Sequence, residues 1–279
     1  MSMNDGEIEQ LSKSVQSGHL NFLFGAGVST PFLPVLGDIE TRLNAAADEN
    51  EREPIYKEYF TQVMLPNKLL VGETLTGDEK DRCDETLEHY AEFFGELSRV
   101  VMRRKSSILS KQVNLFTTNV DVLIEYSLES LQLDYNDGFC GRINPMFGLG
   151  NYKKAVYQRS LHYDHVTEIP VFNVVKIHGS TTWCRLALDP DRIIYGHRLN
   201  HLDDDLGAKN GDDFSNAYGQ LLIVNPNEGK HLETVLNLYY SELLRLYSGE
   251  LEKENAILFV LGFSMGDRHI REITIRAAK

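Results

Sequence analysis

Short apolar runs and longer amphipathic stretches alternate along this chain. Five runs are apolar almost throughout: residues 21–24, 113–117, 171–177, 220–224 and 256–261. Short runs of that kind predict strands buried on both faces, as in a parallel sheet covered by helices. Their alternation with amphipathic segments predicts a doubly wound, mostly parallel, Rossmann-like α/β fold. Between the first two runs, residues 39–110 show helical apolar spacing, for example over 55–64 and 87–97. That separation is far longer than one crossover helix needs. It reads as a helical insertion within a single domain spanning 1–279. Residues 135–170, rich in Asn, Gly, His and Tyr, read as irregular. Residues 202–215, rich in Asp and Gly, read as a mobile loop. The last residues, 268–279, read as a helix with no closing Gly, Asn or Pro, so the chain is expected to continue beyond Lys279.

Ligands of open parallel sheets sit at the carboxyl ends of the strands. That rule selects five segments here. After the first strand comes Gly25-Ala26-Gly27-Val28-Ser29. Small residues there let a backbone approach a pyrophosphate, although a tight strand-to-helix turn would look the same. After the second comes Thr117-Thr118-Asn119-Val120-Asp121. Asn119 can hold a water or a ribose hydroxyl without adding charge, while Thr118 or Asn119 could instead cap a helix. The third strand ends in Lys176-Ile177-His178-Gly179-Ser180. His178 is a candidate general base, or a structural histidine. Asn225-Pro226 follows the fourth strand, as a ribose or adenine contact or as a plain turn. Gly262, Ser264 and Asp267 follow the fifth; Ser264 and Asp267 are also good helix N-caps.

Composition narrows the function classes. There are 41 acidic residues against 28 basic ones, a formal net charge of −13. That balance disfavours direct nucleic-acid binding. No apolar run approaches the roughly 20 residues that span a bilayer, so no membrane association is expected. The acidic N-terminus lacks the basic start and apolar core of a signal peptide, so a cytoplasmic location is the default expectation. Three cysteines, Cys83, Cys140 and Cys184, lie far apart with no C-x-x-C pair. They argue against a disulfide framework and against a four-cysteine zinc site, and no metal is expected.

Taken in order, Gly-Ala-Gly-Val-Ser, Thr-Thr-Asn-Val-Asp, Ile-His-Gly, Asn-Pro and Gly-Phe-Ser resemble the motifs of the sirtuin fold family. The likeness runs from about Asn21 to Arg276. It departs from protein-deacylating sirtuins in lacking the four-cysteine zinc ribbon. It departs again at residues 30–38, where those enzymes carry a Pro-Asp-Phe-Arg type segment. The pattern looks more like bacterial sirtuin-like NADases of antiphage defence, in particular the sirtuin-like subunit that partners a HerA-like ring ATPase.

By position, the resemblance implies that Gly25, Ala26, Gly27 and Ser29 line the pyrophosphate of NAD. Asn119 and Asp121 would face the nicotinamide ribose beside Thr118, with Asn119 placing an attacking water. His178 would be the general base. Asn225, Gly262, Ser264 and Asp267 would hold the adenosine half, and Asp38 would touch the ribose side. The implied reaction is hydrolysis of NAD to nicotinamide and ADP-ribose, controlled by homo-oligomer or partner assembly. The alternatives are a sirtuin-type deacylase or ADP-ribosyltransferase, and a non-catalytic module that senses NAD or an ADP-ribose derivative.

Overall fold

A computed structural model describes residues 4–104, 109–226 and 234–278. The chain opens with helix α1 (Asp5–Ser17), whose first turn is closed by a reciprocal cap between Asn4 and Glu7. Strand β1 (His19–Phe24) follows. Helices α2 (Gly37–Ala45), α3 (Glu49–Tyr59), α4 (Leu65–Val71) and α5 (Gly77–Met102) then fill the gap before β2 (Gln112–Thr117). Next come α6 (Leu123–Ser130) and the short strands β3 (Tyr135–Asn136), β4 (Phe139–Cys140), β5 (Met146–Phe147), β6 (Tyr157–Arg159) and β7 (Val166–Glu168). The chain continues through β8 (Val171–Lys176), β9 (Trp183–Leu186), β10 (Asp189–Tyr195), α7 (Gly211–Tyr218) and α8 (Thr234–Leu251). It ends with β11 (Ala256–Leu261) and α9 (Arg268–Ala277).

The main sheet has five strands in the order β11-β1-β2-β8-β3, and every neighbouring pair is parallel. Alternate side chains of the central strands enter two apolar layers. Leu20, Phe22, Val113, Leu115, Phe172 and Val174 pack with helices α2 to α7 on one face. Leu23, Phe116, Val175 and Ile177 pack with α8 and α9 on the other. This is the doubly wound α/β architecture that the apolar runs predict. Helix α5 shows how the spacing works: its buried residues Cys83, Thr86, Tyr90, Phe94, Leu97 and Val101 recur every three or four positions and form one stripe.

One polar feature runs through the α8 side of the sheet. Asn21, Asn114, Asn173 and Asn136 stand opposite one another on β1, β2, β8 and β3. Their side chains form a chain of hydrogen bonds. Asn136 Nδ2 donates to Asn173 Oδ1 at 3.0 Å, and Asn173 Nδ2 to Asn114 Oδ1 at 2.9 Å. Asn114 Nδ2 donates to Asn21 Oδ1 at 2.9 Å and to Glu250 Oε2 of α8 at 3.0 Å.

Three expectations need correction. Residues 220–224 do not form a strand. The segment is buried at Leu222, Ile223 and Val224, but it meets the chain after β8 at a single antiparallel bridge, Gly179 with Ile223. Its partners are one short backbone stretch, Val224 N to His178 O and Ser180 N to Leu222 O, so no ladder extends. Residues 135–170 are not irregular throughout. They supply β3 to the main sheet, β4 and β5 to a small antiparallel sheet ordered β4-β5-β10-β9, and the β6-β7 hairpin. Residues 202–215 are not a loose loop either. Leu202, Leu206 and Phe214 are buried in the core beneath the helices, and α7 begins at Gly211. Among the described residues no helix is long and apolar enough to cross a membrane.

The asparagine chain is testable. Asn114→Leu removes its central link and strands Asn21 Oδ1, while Asn173 Nδ2 keeps Gln112 Oε1 at 3.4 Å and Glu250 keeps Lys253. We expect a loss of about 1–3 kcal/mol for the buried group left unpaired, read as a lower urea midpoint. A midpoint equal to wild type would show that the chain contributes nothing.

Candidate functional site

The carboxyl ends of β1, β2, β8 and β11 open onto one cleft of about 350 Å³. Register explains why they meet there. Phe24 is level with Thr117 and with Leu261, and Thr117 is level with Lys176. The residues that follow therefore emerge along a common rim.

The floor is made by two interlocked glycine turns. Gly25 N donates to Leu261 O at 3.0 Å, and Gly27 N donates to Gly262 O at 2.9 Å. A Cβ on Gly27 would lie 2.9 Å from Gly262 Cα, and one on Gly262 would lie 2.5 Å from Val28 N. Gly262 also has φ +61°, a conformation that disfavours any side chain. Val28 N donates to Gly25 O at 3.2 Å, so much of the first turn's donor capacity is committed within the protein. What the turns offer a ligand is close backbone approach more than an amide nest.

Asn119 is fixed by its own amide. Nδ2 donates to Gly25 O at 3.1 Å and to Ser29 Oγ at 3.0 Å. Ser29 Oγ in turn donates to Asp121 Oδ2 at 2.8 Å. Both amide hydrogens are thus engaged, and the carbonyl Oδ1 is the atom left for a ligand. Behind this network, Lys176 Nζ donates to the Asp121 carbonyl and lies 3.1 Å from Glu125 Oε1. Burial pushes the Glu125 carboxyl up to about 7, with Lys176 pulling the other way.

His178 stands on the same cleft. Its Nε2 lies 3.2 Å from Asp267 Oδ2, with side chains 11% and 12% exposed. The Tyr240 ring packs beside the imidazole at 6.0 Å between centroids. Asp267 Oδ1 accepts from Ile270 N at 3.0 Å and caps α9. Asp267 is therefore both an N-cap and the carboxylate facing His178.

The expected residues divide into three groups. Ala26, Gly27, Thr118, Asn119, His178, Gly262, Ser264 and Asp267 all line the cleft. Gly25, Ser29 and Asp121 belong to the site but stand behind its wall. Gly25 is packed against Gly262 and Phe263, where a Cβ would come within 2.7 Å. Ser29 and Asp121 are 2% and 3% exposed and bind each other. Asp267 lines the cleft with one oxygen on Ile270 N and the other 3.2 Å from His178 Nε2. Asp38 and Asn225 are not brought in. Asp38 pairs with Arg42 on the outer side of α2 at 3.1 Å. Asn225 Oδ1 accepts from Tyr218 at 2.7 Å, so its side chain turns toward α7. The rest of that segment, 227–230, lies outside the described residues.

Sequence reasoning missed Tyr59, Glu40 and the apolar wall made by Leu36, Val224 and Phe263. Tyr59 comes from the last turn of α3, just before a π-helical turn at Phe60–Met64. Its phenol is held neutral, first by burial and then by the charge of Asp121. The apolar spacing of that helix is a usable signal for burial but not for the cleft. Among the described residues no group of three or more His, Cys, Asp or Glu is placed to hold a metal ion.

The raised Glu125 carboxyl gives a pH prediction. A group whose folded value lies above its ordinary 4.5 stabilises the fold while protonated, and that contribution is lost as pH rises through about 7. Urea unfolding should therefore show stability falling across this window. The slope should be shallower in Glu125→Gln, and equal slopes would overturn the assignment.

A model of the SIR2-like domain matches residues 113–279, which include Asn119, His178, Gly262 and Asp267. No curated protein matches the chain. The family implies NAD as ligand, and the cleft fits a dinucleotide on its own terms. Its glycine floor has no room for a Cβ at Gly27 or Gly262, its walls are largely apolar, and a neutral amide side chain and an imidazole are among its lining. The first glycine turn precedes the matched span, yet β1 sits between β11 and β2 and completes the same floor. The match extends over more than half of the sequence and through both sides of the cleft, and the chain belongs to the SIR2-like domain family, with the NAD-related activity that membership implies.

Proposed function

We propose that this protein hydrolyses NAD to nicotinamide and ADP-ribose. The observation that carries the reading is the shared cleft of Asn119 and His178, with both Asn119 amide hydrogens committed within the protein and Oδ1 left as its acceptor for a ligand. Asn119 Oδ1 accepts a hydrogen bond from a water and aims its oxygen at the anomeric carbon of the nicotinamide ribose. The C–N glycosidic bond breaks and its electron pair passes to the ring nitrogen. The pyridinium becomes neutral nicotinamide, so no acid is needed for the leaving group. As the water oxygen bonds to carbon, its proton passes to His178. The barrier is the developing oxocarbenium ion. Positioning of the water and exclusion of bulk solvent by the apolar wall lower it. The neutral Asn119 adds no charge that would trap the cation.

The three cysteines of the chain are too few for the four-cysteine ribbon of protein-deacylating sirtuins. That supports water, rather than an acyl-lysine, as the acceptor. Asn119→Ala and His178→Ala should each slow nicotinamide release by on the order of 100-fold or more, measured by chromatography of NAD incubations. Wild-type turnover in either variant would remove the mechanism. Transfer of the acyl group from an added acyl peptide to ADP-ribose would favour the deacylase reading.

The likeness of the motif order to sirtuin-like NADases of antiphage defence supports a cellular role in depleting NAD during infection. Constant NAD loss would harm the host cell, so activity would be controlled by assembly, either of this chain with itself or with a HerA-like ring ATPase. Light scattering after size-exclusion should show an oligomer, either of this chain alone or with an added HerA-like ATPase. A monomer under both conditions would contradict control by assembly.

A further inference from the structure

We infer that Asp267 is the positioning residue that holds the His178 imidazole in its working orientation and protonation pattern. The inference rests on the hydrolytic reading above and adds a component to it. Its starting point is the 3.2 Å approach of His178 Nε2 to Asp267 Oδ2 between two side chains almost withdrawn from solvent. The approach is a charge contact rather than an aligned hydrogen bond, and the carboxylate beside it favours a proton on Nε2. Nδ1 is then the ring nitrogen able to take a proton from water. When it does so, the positive ring remains next to a fixed negative charge.

Asp267 is well placed to be fixed. Its second oxygen is tied to Ile270 N, the first turn of α9. That helix is anchored by Ile270, which is fully buried. The imidazole has little freedom of its own, because Tyr240 packs beside it and its backbone carbonyl accepts from Val224 N at 2.8 Å. The same burial raises the Tyr240 phenol, and Asp267 adds to the effect, so Tyr240 stays a neutral wall.

A capping role alone needs only one oxygen on the side chain. Asn and Ser both cap helices about as well as Asp. The inferred role needs the second oxygen and its charge. Asp267→Asn and Asp267→Ser therefore separate the two. Both variants should keep a melting temperature close to wild type. Both should lower kcat for nicotinamide release roughly 10-fold or more with little change in KM. In Asp267→Asn the acid limb of the kcat profile should move to lower pH, because the imidazolium loses its counter-charge. Nitrogen NMR of the His178 ring provides a readout that does not depend on turnover. Wild type should show the proton on Nε2, and Asp267→Asn should change that pattern.

An unchanged kcat in both variants would overturn the inference. So would an unchanged ring pattern, or a rise in KM with kcat intact, which would return Asp267 to substrate binding. If wild type cleaves no NAD while the ring pattern still depends on Asp267, the hydrolytic reading fails and the pairing stands.

Discussion

Four asparagines set the register on which the cleft depends. In a parallel sheet a slip of one residue exchanges the two faces of a strand. Here a slip would also part amides that are joined across β1, β2, β8 and β3. The amides point the same way, each donating toward β1, and the chain of bonds is closed onto α8 through Glu250. Apolar packing alone would fix the alternation but would tolerate a slip of two residues. A row of hydrogen bonds does not. Asn119 lies five residues beyond Asn114, and His178 lies five beyond Asn173. Locking those two asparagines opposite each other brings the two candidate groups to the same rim.

The edge of the rim is set differently. On β11 the residue opposite Asn21 is Leu258, so the amide row ends at β1. The end of β11 is instead held to the end of β1 by contact between Gly27 and Gly262, where neither position has space for a side chain. This contact fixes the start of the loop that carries Asp267. One wall of the cleft is thus placed by hydrogen-bonded amides and the other by absent side chains. Both depend on β1 lying between β11 and β2.

Much of this was legible in the sequence. Buried parallel strands are apolar throughout, so β1, β2 and β8 stand out; β11 is as apolar but is a half-buried edge strand, and the strand-end rule then selects the segments that line the cleft. The failures have physical causes. Residues 220–224 are as buried as a strand but have only a turn to pair with, and burial is what an apolar run reports. The two residues of β3 are too few to leave a pattern. Asp38 and Glu40 share a helix two positions apart, about 200° around its axis. One therefore faces Arg42 and solvent while the other reaches the cleft, and only the docking of α2 decides which. Ser29 and Asp121 were assigned to the ligand because motifs record identity, not depth. Each sits a layer behind its expected position because their hydroxyl and carboxylate satisfy each other.

That displacement bears on the chemistry. The chain is strongly acidic, yet the carboxylates nearest the two candidate groups are turned to other tasks. Asp121 binds Ser29, and Asp267 faces His178 while capping α9. A naked carboxylate at the position of Asn119 could capture a cationic sugar instead of passing it to water. A carboxylate one layer behind can orient a neutral amide, or support an imidazole as it gains charge, without meeting the cation. On the proposed reading, Asp121 stands behind the neutral Asn119 and Asp267 is held against His178, so an acidic protein can cleave a glycosidic bond through a positively charged transition state and leave water as the acceptor.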